Sequence, residues 1–197
     1  MIKIAITGSI GMGKSTVAAM FLAAGIPVFD ADAEVRAMQL FGGSLVDTIE
    51  TRFPGTTLDG AVDRDLLAAR VLGDRDQLAA LETIVHPAVY ERRQAFVAAN
   101  RQAPALLFDI PLLFETGGET AFDKVIVVSA PAGLQRERVL ARPGMTSDRL
   151  AHILERQMPD ALKRERADFI VDTGGSIEET RAQVDAILAC LGLGAGR

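Results

Sequence analysis

Tryptophan is absent from this 197-residue chain, cysteine and tyrosine occur once each, and histidine twice. The lone Cys190 cannot close an internal disulfide, so the fold must rest on its core; set in an apolar run near the C-terminus, Cys190 is expected as a packed or partly exposed thiol. One cysteine and two histidines cannot build a zinc site from the usual N and S ligands. No apolar run approaches the ~20 residues of a membrane-spanning helix. Ahead of the first glycine-rich turn stands only one cation, Lys3, with neither the charged region nor the cleavage site of a secretory signal, so a cytoplasmic location is expected. A surplus of positive charge is missing too. The 21 Lys and Arg residues against 26 Asp and Glu leave a net charge of −5, which argues against general nucleic-acid binding. Small anions stay open as ligands, because charges more than ~8–10 Å apart are largely screened and local placement counts more than the sum.

What is present begins at the N-terminus. Ile2-Lys3-Ile4-Ala5-Ile6-Thr7 is a β-prone apolar run. It breaks into Gly8-Ser9-Ile10-Gly11-Met12-Gly13-Lys14-Ser15-Thr16, which matches G-x-x-x-x-G-K-[ST] at every fixed position. Gly8, Gly11 and Gly13 let the backbone take conformations closed to residues with a Cβ, so that successive N–H groups turn inward as an anion cup. Lys14 is expected on the β- and γ-phosphates, the Ser15 hydroxyl on Mg²⁺, and Thr16 at the polar start of a helix whose N-terminal end favours anions. With 49% apolar residues and this length, one α/β domain with insertions is expected.

Along the chain, Val28-Phe29-Asp30 reads as a short strand leading into Asp30-Ala31-Asp32. Two carboxylates therefore stand at a strand's C-terminal end, the edge where open parallel sheets bind ligands; one of them is equally a helix N-cap. From Ala33 to Asn100 the pattern is helical with no convincing strand, far longer than an ordinary crossover, so an insertion is expected. Within it Asp63 is a predicted cap, and Pro87 is predicted to kink or break the long helix 76–99. His86 beside it reads as structural by default. Ala105 to Asp109 is the next buried strand, with Asp109 placed to act on the Mg²⁺ shell. Ile110 to Glu115 is unusually apolar for a loop, and either lines a pocket or packs internally. Lys124 to Val128 supplies a further strand. Arg138 and Arg142, four residues apart on the following helix, either reach nucleotide phosphates or form a solvated basic face. Phe169 to Val171 is a last strand before Asp172-Thr173-Gly174, and Ser176 with Glu179 forms a capping-box start to the final helix. The glycine-diluted C-terminal residues are expected to fray.

No Asn-Lys-x-Asp base-reading motif of a GTPase switch occurs. A small-molecule kinase needs an acceptor site, an orienting carboxylate and shielding cations, and the helical insertion, Asp32 and the arginine helix offer all three. The set Gly8–Ser15, Asp30-Ala31-Asp32, Leu81-Glu82-x-Ile84-x-His86-Pro87, Asp109-x-Pro111-Leu112-Leu113-Phe114-Glu115 and Gln135-x-x-Arg138-x-x-x-Arg142 resembles the dephospho-CoA kinase family. The resemblance continues through Arg156-Gln157, Lys163, Ala167-Asp168 and the Asp172–Gly174 turn. It implies an α/β fold of the P-loop NTPase type, a three-layer sandwich with a five-stranded parallel sheet, a helical substrate domain and a helical lid. The core is expected over 1–32, 101–135 and 167–197, the substrate-binding insertion over 33–100 and the lid over 136–166. The implied activity is transfer of the ATP γ-phosphate to the ribose 3′-hydroxyl of dephospho-CoA. The resemblance also implies Asp32 as base or orienter and Arg138 and Arg142 as lid cations. It further implies His86, Asp109, Leu112, Phe114 and Glu115 near the acceptor, and Asp172 and Gly174 near adenine. Ser15, Asp30 and Asp109 are the expected metal-shell residues. ATP and Mg²⁺ are the expected cofactors and dephospho-CoA the partner, with neither nucleic acid nor membrane, and a monomer is favoured. A shikimate or nucleoside monophosphate kinase, or a nucleotide-binding switch, are the alternatives.

Overall fold

Each strand of the central sheet is a short run of Ile, Val, Leu and Phe, as expected for strands covered on both faces. A computed structural model describes residues 1–194, in the order β1 (Ile2–Thr7), α1 (Lys14–Ala23), β2 (Val28–Asp30), α2 (Ala31–Gln39), α3 (Val46–Arg52), β3 (Thr57–Leu58), β4 (Ala61–Val62), α4 (Arg64–Val71) and α5 (Arg75–Ala99). Then follow β5 (Ala105–Asp109), a 3₁₀ turn (Gly118–Ala121), β6 (Lys124–Ser129), α6 (Ala132–Leu140), α7 (Ser147–Glu155), α8 (Asp160–Glu165), β7 (Phe169–Asp172) and α9 (Ile177–Cys190). Of the C-terminal residues expected to fray, 195–197 lie outside the described ones. Among the described residues no helix is long and apolar enough to cross a membrane. Cys190 is exposed.

The chain packs as two units, one formed by Met1–Phe29 with the chain from Asn100 onward, the other by Asp30–Ala99. In the first, five strands run in the order β2-β5-β1-β6-β7, with β1 parallel to β5 and β6, and β6 parallel to β7. The register sets Ile6 beside Asp109 and Ser129 beside Asp172, so these carboxylates end neighbouring strands at the same edge. Alternation then sorts the side chains into layers. Ile4, Ile6, Leu107, Ile126 and Val128 pack with Val17 and Phe21 of α1 and Val184 and Leu188 of α9. Ala5, Val125 and Val127 face the other way, onto Leu113 and Phe114. The apolar stretch after β5 is therefore internal packing at those two residues, whereas Leu112 is 44% exposed.

The second unit closes around Met38, Ile49, Phe53, Leu67 and Val71, with Leu81, Ile84, Val85, Ala88 and Val89 of α5 laid against them at helical spacing. Asp63 caps α4 as expected, accepting from Asp65 N and Leu66 N at 3.0 Å each. Two expectations are corrected. The insertion does contain strands, the β3–β4 hairpin, because Asp59 (φ 50°) and Gly60 (φ 77°) supply the two left-handed residues of a tight hairpin turn. Pro87 does not divide the long helix, which runs unbroken from Arg75 to Ala99. Pro87 is exposed, so the carbonyl left without its N–H partner has solvent to turn to.

In the first unit, the segment around α8 is fastened by charge. Lys163, with no exposed surface, sets its Nζ 2.8 Å from Glu115 Oε1, and Met158 N donates to the same oxygen at 2.7 Å. Arg166 pairs with Glu119 and lies 4.8 Å from the centre of the Phe114 ring. Burial pushes the Glu115 carboxyl up, but Lys163 and the Met158 N–H together outweigh it and hold the group below the ordinary glutamate value. A carboxyl held low by the fold contributes stability above its unfolded pKa, about 4.5, and loses it as pH falls through the lower folded value. Glu115→Gln is therefore expected to lower stability at pH 7 by ~3–5 kcal/mol, because it strands a buried ammonium, and to weaken the decline on acidification below about pH 4.5. Lys163→Met should cost less, since Glu115 keeps Met158 N. Urea unfolding followed by hydrogen exchange of the β6 amides measures both effects; equal losses at pH 7 would show that the buried charge is not what governs this contact.

Candidate active site

The turn after β1 folds into the expected cup, though its glycines serve two different purposes. Gly11 (φ 78°) and Gly13 (φ 86°) take left-handed conformations, and Gly13 is the residue that starts α1. Gly8 is not left-handed. A Cβ there would stand 2.5 Å from Val128 O, so glycine is required by the close passage of β6 and not by an unusual dihedral.

Lys14 and Ser15 open α1, and the Lys14 ammonium pairs with Asp109, a carboxylate only 5% exposed at the end of β5. Ser15 and Thr16 are exposed. Further along, Arg138 and Arg142 line one cavity of about 230 Å³ together with Gly11, Gly13, Thr16 and Thr173. The two arginines do not share a helix: α6 ends at Leu140, two residues ahead of Arg142, and Pro143 disfavours helical geometry at the residue before it. They converge on the cup all the same.

Thr173 is the residue that motif reading passed over. Its hydroxyl donates to Met12 O at 2.7 Å, and it accepts from Arg138 Nη1 at 3.0 Å, while Thr173 O accepts from Arg138 Nη2 at 2.7 Å. Its neighbours shape the turn: Asp172 Oδ1 accepts from Gly174 N at 2.7 Å, and a Cβ at Gly174 would meet Pro131 Cδ at 2.7 Å. The available signal was position, a hydroxyl held between two turn-forming residues at the end of a strand.

The rest of the cup is gripped from behind. Ile10 N donates to Gln157 Oε1 at 3.1 Å, Gln135 Nε2 donates to Ile10 O at 2.8 Å, and Ala130 N donates to Met12 Sδ at 3.1 Å. Ser9 is buried. Of the loop after β5, Phe114 is built into the core and Glu115 is held by Lys163 and Met158, so Leu112 alone of these three predicted residues is exposed. In the second unit Asp30 is the cap: its Oδ1 accepts from Ala33 N at 2.8 Å, and Arg36 stands 3.9 Å from Oδ2. Asp32, one residue into α2, and His86 on α5 are both exposed.

The site brings Arg138 and Arg142 to the left-handed Gly11 and Gly13 of a glycine-rich turn that leads into Lys14 and Ser15, the residue types of a phosphate-binding loop. Comparison with known proteins gives it a family. Residues 2–179 match the family model described as dephospho-CoA kinase. A dephospho-CoA kinase of Mesorhizobium japonicum is 55% identical over 190 residues, 95% of either chain. A solved structure from Thermus thermophilus superimposes with a TM-score of 0.81 at 38% identity, covering 96% of this chain and 97% of that one. A shikimate kinase from Acinetobacter baumannii shares the fold alone, with a TM-score of 0.54 at 16% identity over 97% of this chain and 93% of its own. Matched along nearly its whole length, the chain belongs to the dephospho-CoA kinase family of ATP-dependent phosphotransferases.

Proposed function

We propose a division of labour for the dephospho-CoA kinase activity of this chain. The donor, ATP, lies with its β- and γ-phosphates in the Gly8–Thr16 cup and its adenine toward the Asp172–Gly174 turn. Lys14 follows the γ-phosphate, and Arg138 and Arg142 shield the charge that develops on it. The acceptor, dephospho-CoA, is received by the helical residues 33–100, with His86, Leu112 and Asp109 as further contacts. Glu115 serves it indirectly, by fixing the chain at Met158. Asp32 takes the proton of the ribose 3′-hydroxyl as the 3′ oxygen bonds to the γ-phosphorus and the bond to the β-phosphate oxygen breaks, leaving CoA and ADP. The segment 136–166 acts as the lid.

Several observations support this assignment. The one that carries it is the cavity in which Arg138 and Arg142 meet the left-handed glycines of the cup. Of the paired aspartates, Asp30 is occupied in capping α2, which leaves the exposed Asp32 for chemistry. Ser15 Oγ and the Asp109 carboxylate are the hard oxygen donors that would hold Mg²⁺, which would supply charge neutralisation to the phosphates. Lys14 holds Asp109 in the meantime, so two groups intended for the same triphosphate neutralise each other.

Incubation with ATP-Mg²⁺ and, in separate reactions, dephospho-CoA, shikimate or a nucleoside monophosphate should add one phosphate mass to dephospho-CoA alone; modification of another acceptor, or of none, removes the assignment. Asp32→Asn is expected to lower kcat by roughly 10²- to 10⁴-fold, the range of a general base, with ADP affinity by calorimetry nearly intact. Turnover close to that of the parent protein would take Asp32 out of the mechanism. For Arg142→Ala, steady-state kinetics should show kcat/KM for ATP falling by roughly 10-fold or more, as for a cation acting on the transferring phosphoryl group; an unchanged value would make Arg142 a solvated surface charge.

A further inference from the structure

The stretch that carries Arg138 and Arg142 is tied to the phosphate cup at both of its ends, and at one and the same residue. Gln135, in the first turn of α6 and 7% exposed, donates from Nε2 to Ile10 O at 2.8 Å. Gln157, just beyond α7, accepts the Ile10 N–H on Oε1 at 3.1 Å. Each amide is oriented by its partner, because an N–H can be met only by an oxygen and a C=O only by a nitrogen. A neutral side chain suits the place: a carboxylate there would add negative charge beside a cup built for anions, and an ammonium would compete for them.

The two faces of the cup are thereby separated. Gly11 and Gly13 line the cavity with the arginines, whereas Ser9 and Met12 line a second cavity of about 280 Å³ with Gln135 and Gln157. Immediately past Gln157 the chain is pinned again, Met158 N to Glu115 and Lys163 beside it, so Gln157 stands at the junction between the arginine-bearing stretch and the fixed segment. Beside the Arg138–Thr173–Met12 contacts, the Ile10 peptide is thus a second link between that stretch and the cup, and one that engages both of its ends.

We propose that Gln135 and Gln157 are positioning residues for phosphoryl transfer, a clamp on the Ile10 peptide that holds the Arg138–Arg142 stretch in register with the cup. The inference rests on the reading of the cup as the ATP site. Neither glutamine touches the reacting atoms, and each acts through Ile10.

Hydrogen exchange of the Ile10 amide, in the intact chain without nucleotide, reads the Gln157 contact directly. Gln157→Leu should speed it by about tenfold or more, since a lost partner leaves local opening as the only protection. Gln157→Glu keeps an acceptor and should leave it slow. In steady-state kinetics Gln157→Leu is expected to lower kcat roughly 5- to 100-fold, since a small misplacement away from the chemistry can cost up to about 10²-fold, with KM for dephospho-CoA nearly unchanged. Because both side chains act on one peptide, Gln135→Leu combined with Gln157→Leu should lose less than the product of the single losses. Unaltered Ile10 exchange or unaltered kcat in Gln157→Leu, or multiplicative losses in the double variant, would overturn the clamp. Failure of the functional reading appears elsewhere, in the acceptor assay and in Asp32→Asn, and leaves the Ile10 exchange result standing.

Discussion

A phosphate cup is an array of N–H dipoles aimed at one point, and until an anion arrives those dipoles repel one another. The loop from Gly8 to Lys14 must therefore be held open by something other than its ligand. Its supports come from far along the chain: Thr173 on Met12 O, Ala130 on Met12 Sδ, and the two glutamines on Ile10. Gly8 meets the same demand from below, since a larger residue would lift the loop off β6. Pre-organisation of this kind gives fixed dipoles their catalytic value, because little reorganisation remains when charge develops.

The parallel sheet makes those supports available. Its register brings the ends of β5, β6 and β7 to the edge where β1 turns into the cup, so that Asp109, Ser129 and Asp172 arrive together although long stretches of chain separate them. The Lys14–Asp109 pair belongs to the same economy of charge, each group neutralising the other beneath the cup. Below the sheet the buried Lys163 beside Glu115 fixes the segment from which Gln157 projects, so that an internal ion pair and the geometry of the loop are mechanically continuous.

Much of this could be read from residue order. The cup, the strands ending in Asp30 and Asp109, the cap at Asp63 and the Ser176–Glu179 capping box are local, fixed by spacings of a few residues, and the fold reproduces them. The hairpin at Asp59-Gly60 is equally local, but its strands are only two residues each, too short for an alternating pattern to show in the sequence. At Pro87 the reverse holds: its local penalty is real, but Leu81, Ile84, Val85, Ala88 and Val89 pack on either side of it and keep the helix whole. Phe114 and Glu115 belonged to a recognisable motif, yet the motif could not say that one side chain enters the core and the other turns to Lys163.

The sequence by itself determined the chemistry: a glycine-rich turn followed by Lys and Ser can cradle a phosphate, and carboxylates at strand ends can serve it, because those properties follow from backbone freedom and charge over short spans. The tertiary structure alone decided which groups share the work. Thr173, Gln135 and Gln157 stand in recognisable motifs, but nothing in those motifs names their partners, and their hydrogen bonds to Met12 and Ile10 exist only once the sheet has closed and the chain beyond β6 has folded back over the loop. A hydrogen bond needs two groups within about 3 Å of each other, and for residues more than a hundred positions apart only the fold can supply that distance.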